Sequence, residues 1–433
     1  MLEIIGSSFI GLLMEVFGKQ PESLNTVNSV SWHNAPIFVL PKEPDPAIQA
    51  IVNQYVQGLS SKGLATGHQG VWLQTDFANL GNYQGKTPVT AASLTKIATT
   101  LAALETWGTG HRFTTLIATN GEVSNGTLKG DLIIQGDADP FFVWEEGIAL
   151  GNALQKLGIR QVTGNLVVTG NFSMNYNANV QQAGQLLKQA LDSRQWSGAV
   201  AAQYNTLPSG TPRPRVAISG SVVVKSTQEK SPRILLRHQS LPLSEILKQM
   251  NIYSKNELSE AIASRLGGPA EVRKLAAQAT GIPMEEIHLV NGSGLGEENR
   301  ISARAAVAML MAIQQELTKH QLNIADFFPV AGRDRGTLSG RLTPTHTVAK
   351  TGTLRHVSSF AGVLPTRDRG LVWFAIVNRG WDLHTFRAQQ DQLLQELVSE
   401  WGVAPALPEA IARHAVFTGD RVKIGALGRN EIF

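Results

Sequence analysis

The 433-residue chain contains no cysteine, and this absence excludes disulfides, thiolate metal sites and a cysteine nucleophile. Its ten histidines are dispersed and form no His-Glu-x-x-His segment, so we expect neither a metal site nor a cofactor. Basic residues are scattered and the formal net charge is only +4, which argues against a nucleic-acid partner. Charged residues are few at 17%, but 42% of the residues are apolar, as in an ordinary folded protein.

No apolar run is long and uninterrupted enough to predict an integral membrane span. The apolar stretch from Ile4 to Phe17 contains Glu15 and lacks both a basic leading segment and a clean small-x-small cleavage site. We therefore expect a degenerate export signal or an amphipathic helix there. The pattern leaves the export route and the oligomeric state open.

The chain is too long for one hydrophobic core, and the pattern of its apolar residues changes along its length. Helical periodicity from Ile48 to Leu59 and from Ser93 to Trp107 gives way, near residue 111, to short β-rich runs separated by Asn-Gly turns. Helical periodicity of the apolar residues resumes near residue 241. We predict an α/β (α+β) fold with four parts: an N-terminal segment 1–44, a main domain made of 45–110 and 241–402, an inserted β-rich module 111–240, and a C-terminal tail 403–433.

The end of the main domain is predicted to form an antiparallel sheet covered by a helix. The three strands and the helix are, in order, Thr347–Thr353, Ser358–Pro365, Leu371–Val377 and Thr385–Trp401. Within the module, the long polar stretches 171–215 and 225–240 are predicted to be surface loops.

A serine and a lysine lie one helical turn apart at the start of a predicted helix, in the run Ser93-Leu94-Thr95-Lys96. A serine hydroxyl is a weak nucleophile until a nearby base takes its proton, and a lysine kept neutral by burial is such a base. This spacing makes Ser93 a candidate nucleophile and Lys96 its candidate base.

A second candidate motif, Ser254-Lys255-Asn256, falls in a short polar break between two predicted helices. A hydroxyl and an amide in such a break can point into a cleft. Ser254 is a candidate for relaying a proton to the leaving amine, and Asn256 for holding a substrate amide. The Ser-x-Asn pattern also occurs at Ser23 and Ser173, so its position in the chain selects this copy.

The third motif, Lys350-Thr351-Gly352, occurs once and lies on a predicted strand. Lys350 would supply positive charge for a substrate carboxylate, Thr351 a hydroxyl donor, and Gly352 room for substrate. The backbone N–H of Thr353, together with that of Ser93, would form an oxyanion hole. These residues are candidates for catalysis and substrate binding.

Each motif alone also has a purely structural explanation. Ser93 and Asn256 could be helix caps, and Lys350 a solvated lysine on a strand. Three motifs in this order, each in its expected context, favour an acyl-transfer enzyme instead.

With these motifs the chain resembles the class C, penicillin-binding protein 4 type D-alanyl-D-alanine carboxypeptidases and endopeptidases. The resemblance covers roughly residues 45–400. Besides the three motifs it rests on these segments: Gly136–Pro140, Leu157–Val168, Asn291–Leu295, Asn299–Ser302, Gly336–Leu342 and, most specifically, Ala349–Gly362.

The resemblance implies a penicillin-recognising, transpeptidase/β-lactamase-like domain interrupted by an inserted module. It also implies that Ser93 is acylated, by peptidoglycan stem peptides ending in D-Ala-D-Ala and by β-lactams, and that the protein works in the periplasm or cell envelope. Asp139 is a further candidate for contacting an amino group of the stem peptide. A turn carboxylate preceding Pro140 accounts for that residue equally well.

Two alternatives stay open at the level of sequence. A serine β-lactamase would need a deacylating carboxylate between the second and third motifs, where Glu297 and Glu298 lie in a different sequence context. A non-catalytic peptidoglycan-binding protein would not need Ser93, Lys96 and Lys350. The balance between carboxypeptidase and endopeptidase activity is not predicted.

Overall fold

A computed structural model describes residues 44–226, 232–412 and 423–433. The predicted N-terminal segment 1–44 lies outside these residues, except for Pro44. The α-helices are α1 (Pro46–Ser61), α2 (Thr95–Trp107), α3 (Trp144–Lys156), α4 (Val180–Leu191), α5 (Gly198–Tyr204), α6 (Leu243–Tyr253), α7 (Asn256–Arg265), α8 (Pro269–Thr280), α9 (Ala303–Thr318) and α10 (Leu383–Trp401).

Within the described residues the strands are distributed over four sheets. In chain order they are β1 (Gln69–Gln74), β2 (Asn79–Tyr83), β3 (Val89–Thr90), β4 (Thr114–Thr119), β5 (Glu122–Ser124), β6 (Thr127–Lys129), β7 (Leu132–Asp137), β8 (Gln161–Val162), β9 (Leu166–Asn171), β10 (Ala217–Ile218), β11 (Val222–Val224), β12 (Arg233–Gln239), β13 (Ile287–His288), β14 (Arg300–Ile301), β15 (Val348–Leu354), β16 (Val357–Thr366), β17 (Gly370–Arg379) and β18 (Asn430–Ile432).

The main sheet is antiparallel and has the order β15-β16-β17-β1-β2. Its strands β15, β16 and β17 confirm the predicted antiparallel triplet, and α10 confirms the predicted covering helix. Strand β15 is an edge strand, so its alternate backbone N–H groups point away from β16. The third motif therefore lies where a substrate can approach the sheet.

Helices bury both faces of this sheet, which explains the nearly unbroken apolar run of β17. Trp373, Ala375 and Val377 belong to the core under α2 and α9, whereas Phe374 and Ile376 belong to the core under α1 and α10. Successive side chains of a strand point to opposite faces, so a doubly covered strand needs apolar residues at every position. The same packing holds α2, and Ser93 just before it, against the sheet.

A second, six-stranded sheet has the order β11-β9-β7-β4-β12-β18 and packs against α3 and α4. The predicted loops in this region are wrong in part: 171–215 contains α4 and α5, and 225–240 contains β12. Helix α4 forms because Ala183, Leu187 and Leu191 recur on one buried face, although its other face is polar. The division of the chain into domain and module stays a prediction.

The C-terminal residues join this second sheet. Strand β18 pairs with β12, and the guanidinium of Arg429 bonds to the buried carboxylate of Glu146. His238 on β12 contacts Asn430 at 2.9 Å. Residues 423–433 are thus packed against the six-stranded sheet.

Candidate active site

Ser93 lies on a tight turn that leads directly into α2. The turn is a single 3₁₀ segment, Ala92–Leu94, and Ala92 has φ +49°, a left-handed conformation that is unfavourable for a non-glycine residue. The hydroxyl of Ser359 on β16 donates to the Ala91 carbonyl at 2.7 Å and ties the turn to the main sheet. The Ser93 side chain does not cap the helix, so the structural explanation of this serine fails.

The buried Lys96 makes three hydrogen bonds, one of them with Ser93. Its Nζ lies 3.1 Å from Ser93 Oγ, 2.8 Å from Asn256 Oδ1 and 2.7 Å from the Ser293 carbonyl oxygen. Burial lowers the pKa of Lys96 to about 7, although the carboxylates of Glu260 and Glu257 oppose the fall. The first and second motifs are thus in direct contact, and the amine is partly neutral near pH 7.

The second motif connects α6 to α7, as predicted. Ser254 closes α6 in the left-handed conformation, with φ +54° and ψ +41°, and Asn256 begins α7. Helix α7 has no side-chain cap at its N-terminus, so Asn256 is free of the capping role and turns its amide oxygen to Lys96. Strained backbone of this kind is common where a side chain must be aimed at a site.

Lys350 is completely buried, contrary to the idea of a solvated strand lysine. Its Nζ donates to Ser254 Oγ at 3.0 Å and to the Thr351 carbonyl at 2.7 Å. Burial, and secondarily the charge of Lys96, lowers the pKa of Lys350 well below its usual value. The third motif is therefore bonded to the second one below the surface of the cleft.

Gly352 passes directly over the nucleophile. A Cβ at this position would lie 2.9 Å from the Ser93 nitrogen and would overlap the Ser359 hydroxyl. No side chain other than hydrogen fits there, so the strand approaches the Ser93 N–H without hindrance. This close approach places the edge of β15 beside the N–H group that a carbonyl oxygen would need.

A pocket of about 440 Å³ opens above these groups. It brings together the predicted residues Ser93, Ser254, Asn256, Thr351 and Thr353. Four further residues line it: Thr337, Gly340, Arg341 and Arg387. The first three belong to the family-like segment Gly336–Leu342, whereas no motif marks Arg387.

The two arginines of the pocket differ in their partners. Arg341 pairs with Asp391 at 2.7 Å and lies over the Phe360 ring. Arg387 donates to Thr353 Oγ1 at 2.9 Å and, within residues 44–226, 232–412 and 423–433, forms no ion pair with a carboxylate. Arg387 therefore presents an exposed, uncompensated positive charge to the pocket.

Asp139 does not line this pocket. It is buried, its Oδ1 accepts from the Phe141 N–H at 2.8 Å, and its own carbonyl accepts from the Ser173 hydroxyl at 2.9 Å. Burial raises the pKa of Asp139 to about 7. This geometry is that of a turn carboxylate, the alternative noted from the sequence.

Two residues behind the site were missed from the sequence. The Ser293 carbonyl accepts from Lys96, and the Glu260 carboxylate accepts from the N–H groups of Gly292 at 3.0 Å and Ser293 at 2.9 Å. Ser293 belongs to the family-like segment Asn291–Leu295, but nothing in the local sequence distinguishes Glu260 from other residues on a helix surface. Among the described residues no cluster of acidic or histidine side chains is suited to holding a metal ion.

Gly294 lets the Asn291–Leu295 segment pack against the nucleophile turn. It has φ +82°, and a Cβ there would overlap the Ala92 carbonyl oxygen and lie 2.7 Å from Thr95 Oγ1. Only glycine meets both the conformational and the steric requirement. The position of Ser293 beside Lys96 depends on this contact.

Comparison with known proteins agrees with this architecture. The sequence matches the D-Ala-D-Ala carboxypeptidase 3 (S13) family over residues 64–180 and 213–398. It is 24% identical over 390 residues to the D-alanyl-D-alanine carboxypeptidase DacB of Haemophilus influenzae, covering 67% of this chain and 80% of that protein.

Solved structures share the fold. The penicillin G-acylated predatory endopeptidase Bd3459 of Bdellovibrio bacteriovorus superposes with a TM-score of 0.68 at 21% identity, over 78% of this chain and 94% of that one. Penicillin-binding protein 4 (dacB) of Haemophilus influenzae superposes with a TM-score of 0.60 at 21% identity, over 80% and 98%.

Proposed function

Because the chain belongs to the D-Ala-D-Ala carboxypeptidase 3 (S13) family and is a serine-type peptidase of that kind, we propose that its acyl-enzyme forms on Ser93. The observation that carries this assignment is the set of three bonds at Lys96. The substrates would be peptidoglycan stem peptides, and β-lactams would acylate the same serine.

The three hydrogen bonds of Lys96 Nζ are those that a neutral amine acting as a base would make. A neutral amine has two N–H donors and one lone pair. The Asn256 amide oxygen and the Ser293 carbonyl take the two donors, which leaves the lone pair directed to Ser93 Oγ. Ser93 Oγ then attacks the carbonyl carbon of the penultimate D-Ala while its proton passes to Lys96 Nζ.

The leaving amine needs that proton back before the C–N bond breaks. Ser254 lines the pocket, and its hydroxyl accepts from Lys350. We assign Ser254 the role of relaying a proton to the leaving D-Ala nitrogen, with Lys350 orienting the relay. Water then hydrolyses the ester on Ser93 and releases the shortened peptide.

The carbonyl oxygen becomes negative in the tetrahedral intermediate and needs donors. The Ser93 N–H, close beside Gly352, and the Thr353 N–H on the edge strand are the proposed pair. Removal of one such donor in comparable enzymes costs about 3 kcal/mol in the barrier.

Arg387 is better placed than Lys350 to bind the terminal carboxylate of the substrate. Lys350 is buried and bonded below the cleft, whereas Arg387 is exposed in the pocket and adjoins the Thr353 hydroxyl. An arginine fork and a neighbouring hydroxyl match the geometry of a carboxylate. We assign the anchoring role to Arg387, Thr351 and Thr353.

Nothing in the pocket favours the β-lactamase alternative. Glu297 pairs with Arg379 at 2.7 Å and lies 3.5 Å from His356, and neither it nor Glu298 lines the pocket. Among the described residues no helix is both long and apolar enough to cross a bilayer.

We propose a location in the periplasm or cell envelope, where peptidoglycan is found.

One assay tests the assignment. Wild type and Ser93→Ala would be given a pentapeptide ending in D-Ala-D-Ala and, separately, a cross-linked peptide dimer. Wild type should release D-Ala or cleave the dimer, and Ser93→Ala should do neither. Activity that persists in Ser93→Ala would refute the assignment, and the ratio of the two wild-type rates would decide between carboxypeptidase and endopeptidase.

A further inference from the structure

A second cavity, of about 570 Å³, lies away from Ser93 between the main-domain helices and the six-stranded sheet. Its walls come from the end of α2 and the segment after it, the ends of β7 and β9, and the end of α7. The residues that matter here are Trp107, His111, Phe113, Asp137, Asn171 and Arg265.

One wall of the cavity is aromatic. The rings of Trp107 and His111 stack at 5.9 Å between centroids, and the Phe113 ring meets both edge-on, at 5.4 Å and 4.7 Å. Trp107 and His111 are each partly exposed. Such a wall offers apolar ring surface to a ligand that is itself a flat or puckered ring.

The cavity lining is also polar and carries charge. Asp137 and Asn171 are exposed at the paired ends of β7 and β9. Asp137 forms no ion pair within 4.0 Å among the residues that the structure describes. Arg265 donates to the Ala138 carbonyl, to the Ala261 carbonyl at 2.7 Å and to the Ser173 hydroxyl at 3.0 Å, all neutral acceptors.

Ring surface combined with a carboxylate, an amide and a guanidinium in one cavity suits a sugar. Hydroxyl and acetamido groups need both acceptors and donors, which Asp137, Asn171 and Arg265 supply. A purely anionic or purely apolar ligand would leave part of this set without a partner.

The distance from the catalytic pocket fits the length of a stem peptide. Helix α7 starts at Asn256, which lines the catalytic pocket, and ends at Arg265, which lines the second cavity. At 1.5 Å per residue the two are about 14 Å apart along the helix. Four extended residues span about 13–14 Å, the separation between the scissile D-Ala carbonyl and the sugar that carries the stem peptide.

We propose that this cavity binds the N-acetylated amino sugar at the glycan end of the stem peptide. The inference rests on the proposed function, because it takes the substrate to be peptidoglycan. The protein then prefers stem peptides that are still attached to glycan, and Asp137 and Asn171 determine that preference.

The test compares two substrates with the same peptide, one free and one attached to the disaccharide N-acetylglucosaminyl-N-acetylmuramic acid. Wild type should show a kcat/KM at least about tenfold higher for the attached peptide, the effect of one charge-assisted hydrogen bond or more. Asp137→Ala should lose most of that advantage and keep its kcat/KM for the free peptide. Glu122→Ala, another exposed carboxylate on the same module outside the cavity, should behave as wild type.

Equal kcat/KM values for the two substrates in wild type, or an unchanged preference in Asp137→Ala, would overturn the proposal. Calorimetry with the disaccharide alone gives an answer that does not depend on catalysis: binding to wild type and Glu122→Ala, and loss of binding in Asp137→Ala, are expected. Penicillin acylation of each variant separates the two hypotheses. Normal acylation without glycan preference refutes only the sugar site, whereas absent acylation in wild type refutes the proposed function.

Discussion

Replacing Glu260 by glutamine should lower the pH at which the active-site serine becomes reactive. Its carboxylate accepts from the Gly292 and Ser293 N–H groups, and the Ser293 carbonyl accepts from Lys96. The negative charge of Glu260 raises the pKa of Lys96, against the larger lowering by burial. Without that charge the ammonium is less favoured, so Lys96 becomes neutral at a lower pH.

The magnitude follows from the separation of the two charges. Lys96 Nζ is 2.7 Å from the Ser293 carbonyl oxygen, and the Ser293 nitrogen is 2.9 Å from Glu260 Oε1. With the residue between them, the charges are within about 9 Å, where an effective dielectric constant of about 20 to 40 gives roughly 1–2 kcal/mol. Glu260 is partly exposed, so we expect a shift of about one pKa unit.

The assay is the second-order rate constant for acylation by a chromogenic β-lactam, measured between pH 5 and 9. In wild type the rate should rise with pH, with a midpoint near the Lys96 pKa of about 7. Glu260→Gln should move the midpoint to lower pH by about one unit. Glu257→Gln, which removes the weaker of the two anionic influences, should move it less.

The partly exposed Glu316 lies on a different helix and pairs with Lys319, so Glu316→Gln serves as the control and should leave the midpoint unchanged. The glutamine variant also weakens an acceptor for two N–H groups, and this loss can lower the plateau rate without moving the midpoint. A midpoint that stays put or rises in Glu260→Gln would refute the role of Lys96 as the base.

Three other changes probe separate parts of the site. Gly294→Ala should abolish most labelling by fluorescent penicillin, because the new Cβ overlaps the Ala92 carbonyl and displaces the nucleophile turn. Arg387→Gln should raise KM for a pentapeptide with a free terminal carboxylate about tenfold or more, with little change for the terminal carboxamide. Lys248→Met should lower the free energy of unfolding by about 3 kcal/mol in chemical denaturation, because the partly buried Asp334 and two backbone carbonyls lose their contact with the buried ammonium group.

Gly294→Ala and Lys248→Met each have a control variant with the same change at a less constrained position. Gly281→Ala also places alanine at a positive φ, but no atom lies within 4 Å of its Cβ, so labelling should persist despite about 1 kcal/mol of strain. Lys274→Met removes an exposed lysine paired with Glu271 and should change stability by less than about 1 kcal/mol. Equal effects in Gly294→Ala and Gly281→Ala, or in Lys248→Met and Lys274→Met, would contradict the packing argument.

Features set by local spacing were predictable from the sequence. Ser93 and Lys96 meet because they are three residues apart at a helix start, and Ser254 and Asn256 occupy the predicted break between α6 and α7. The antiparallel pairing of β15, β16 and β17 follows from the short turns that join these apolar runs. The contact of Lys96 with Asn256, across 160 positions, agrees with the order of the motifs.

Features set by long-range packing were not predictable. The buried Lys350 bonds to Ser254, which is 96 positions away in the chain, and Arg387 on α10 reaches Thr353 on β15 across 34 positions. The polar composition of 171–215 predicts a loop, but the apolar residues that recur on one face of α4 form a helix when they pack against the core. Asp139 lies in a family-like segment, yet its side chain accepts from its own turn.

The most direct test of the central claim is the site of covalent attachment of penicillin. The protein would be incubated with benzylpenicillin, digested and analysed by mass spectrometry, with Ser93→Ala as the comparison. The account predicts one adduct, on the peptide containing Ser93, and none in the variant. An adduct on any other residue, or no adduct in a folded wild-type protein, would contradict it.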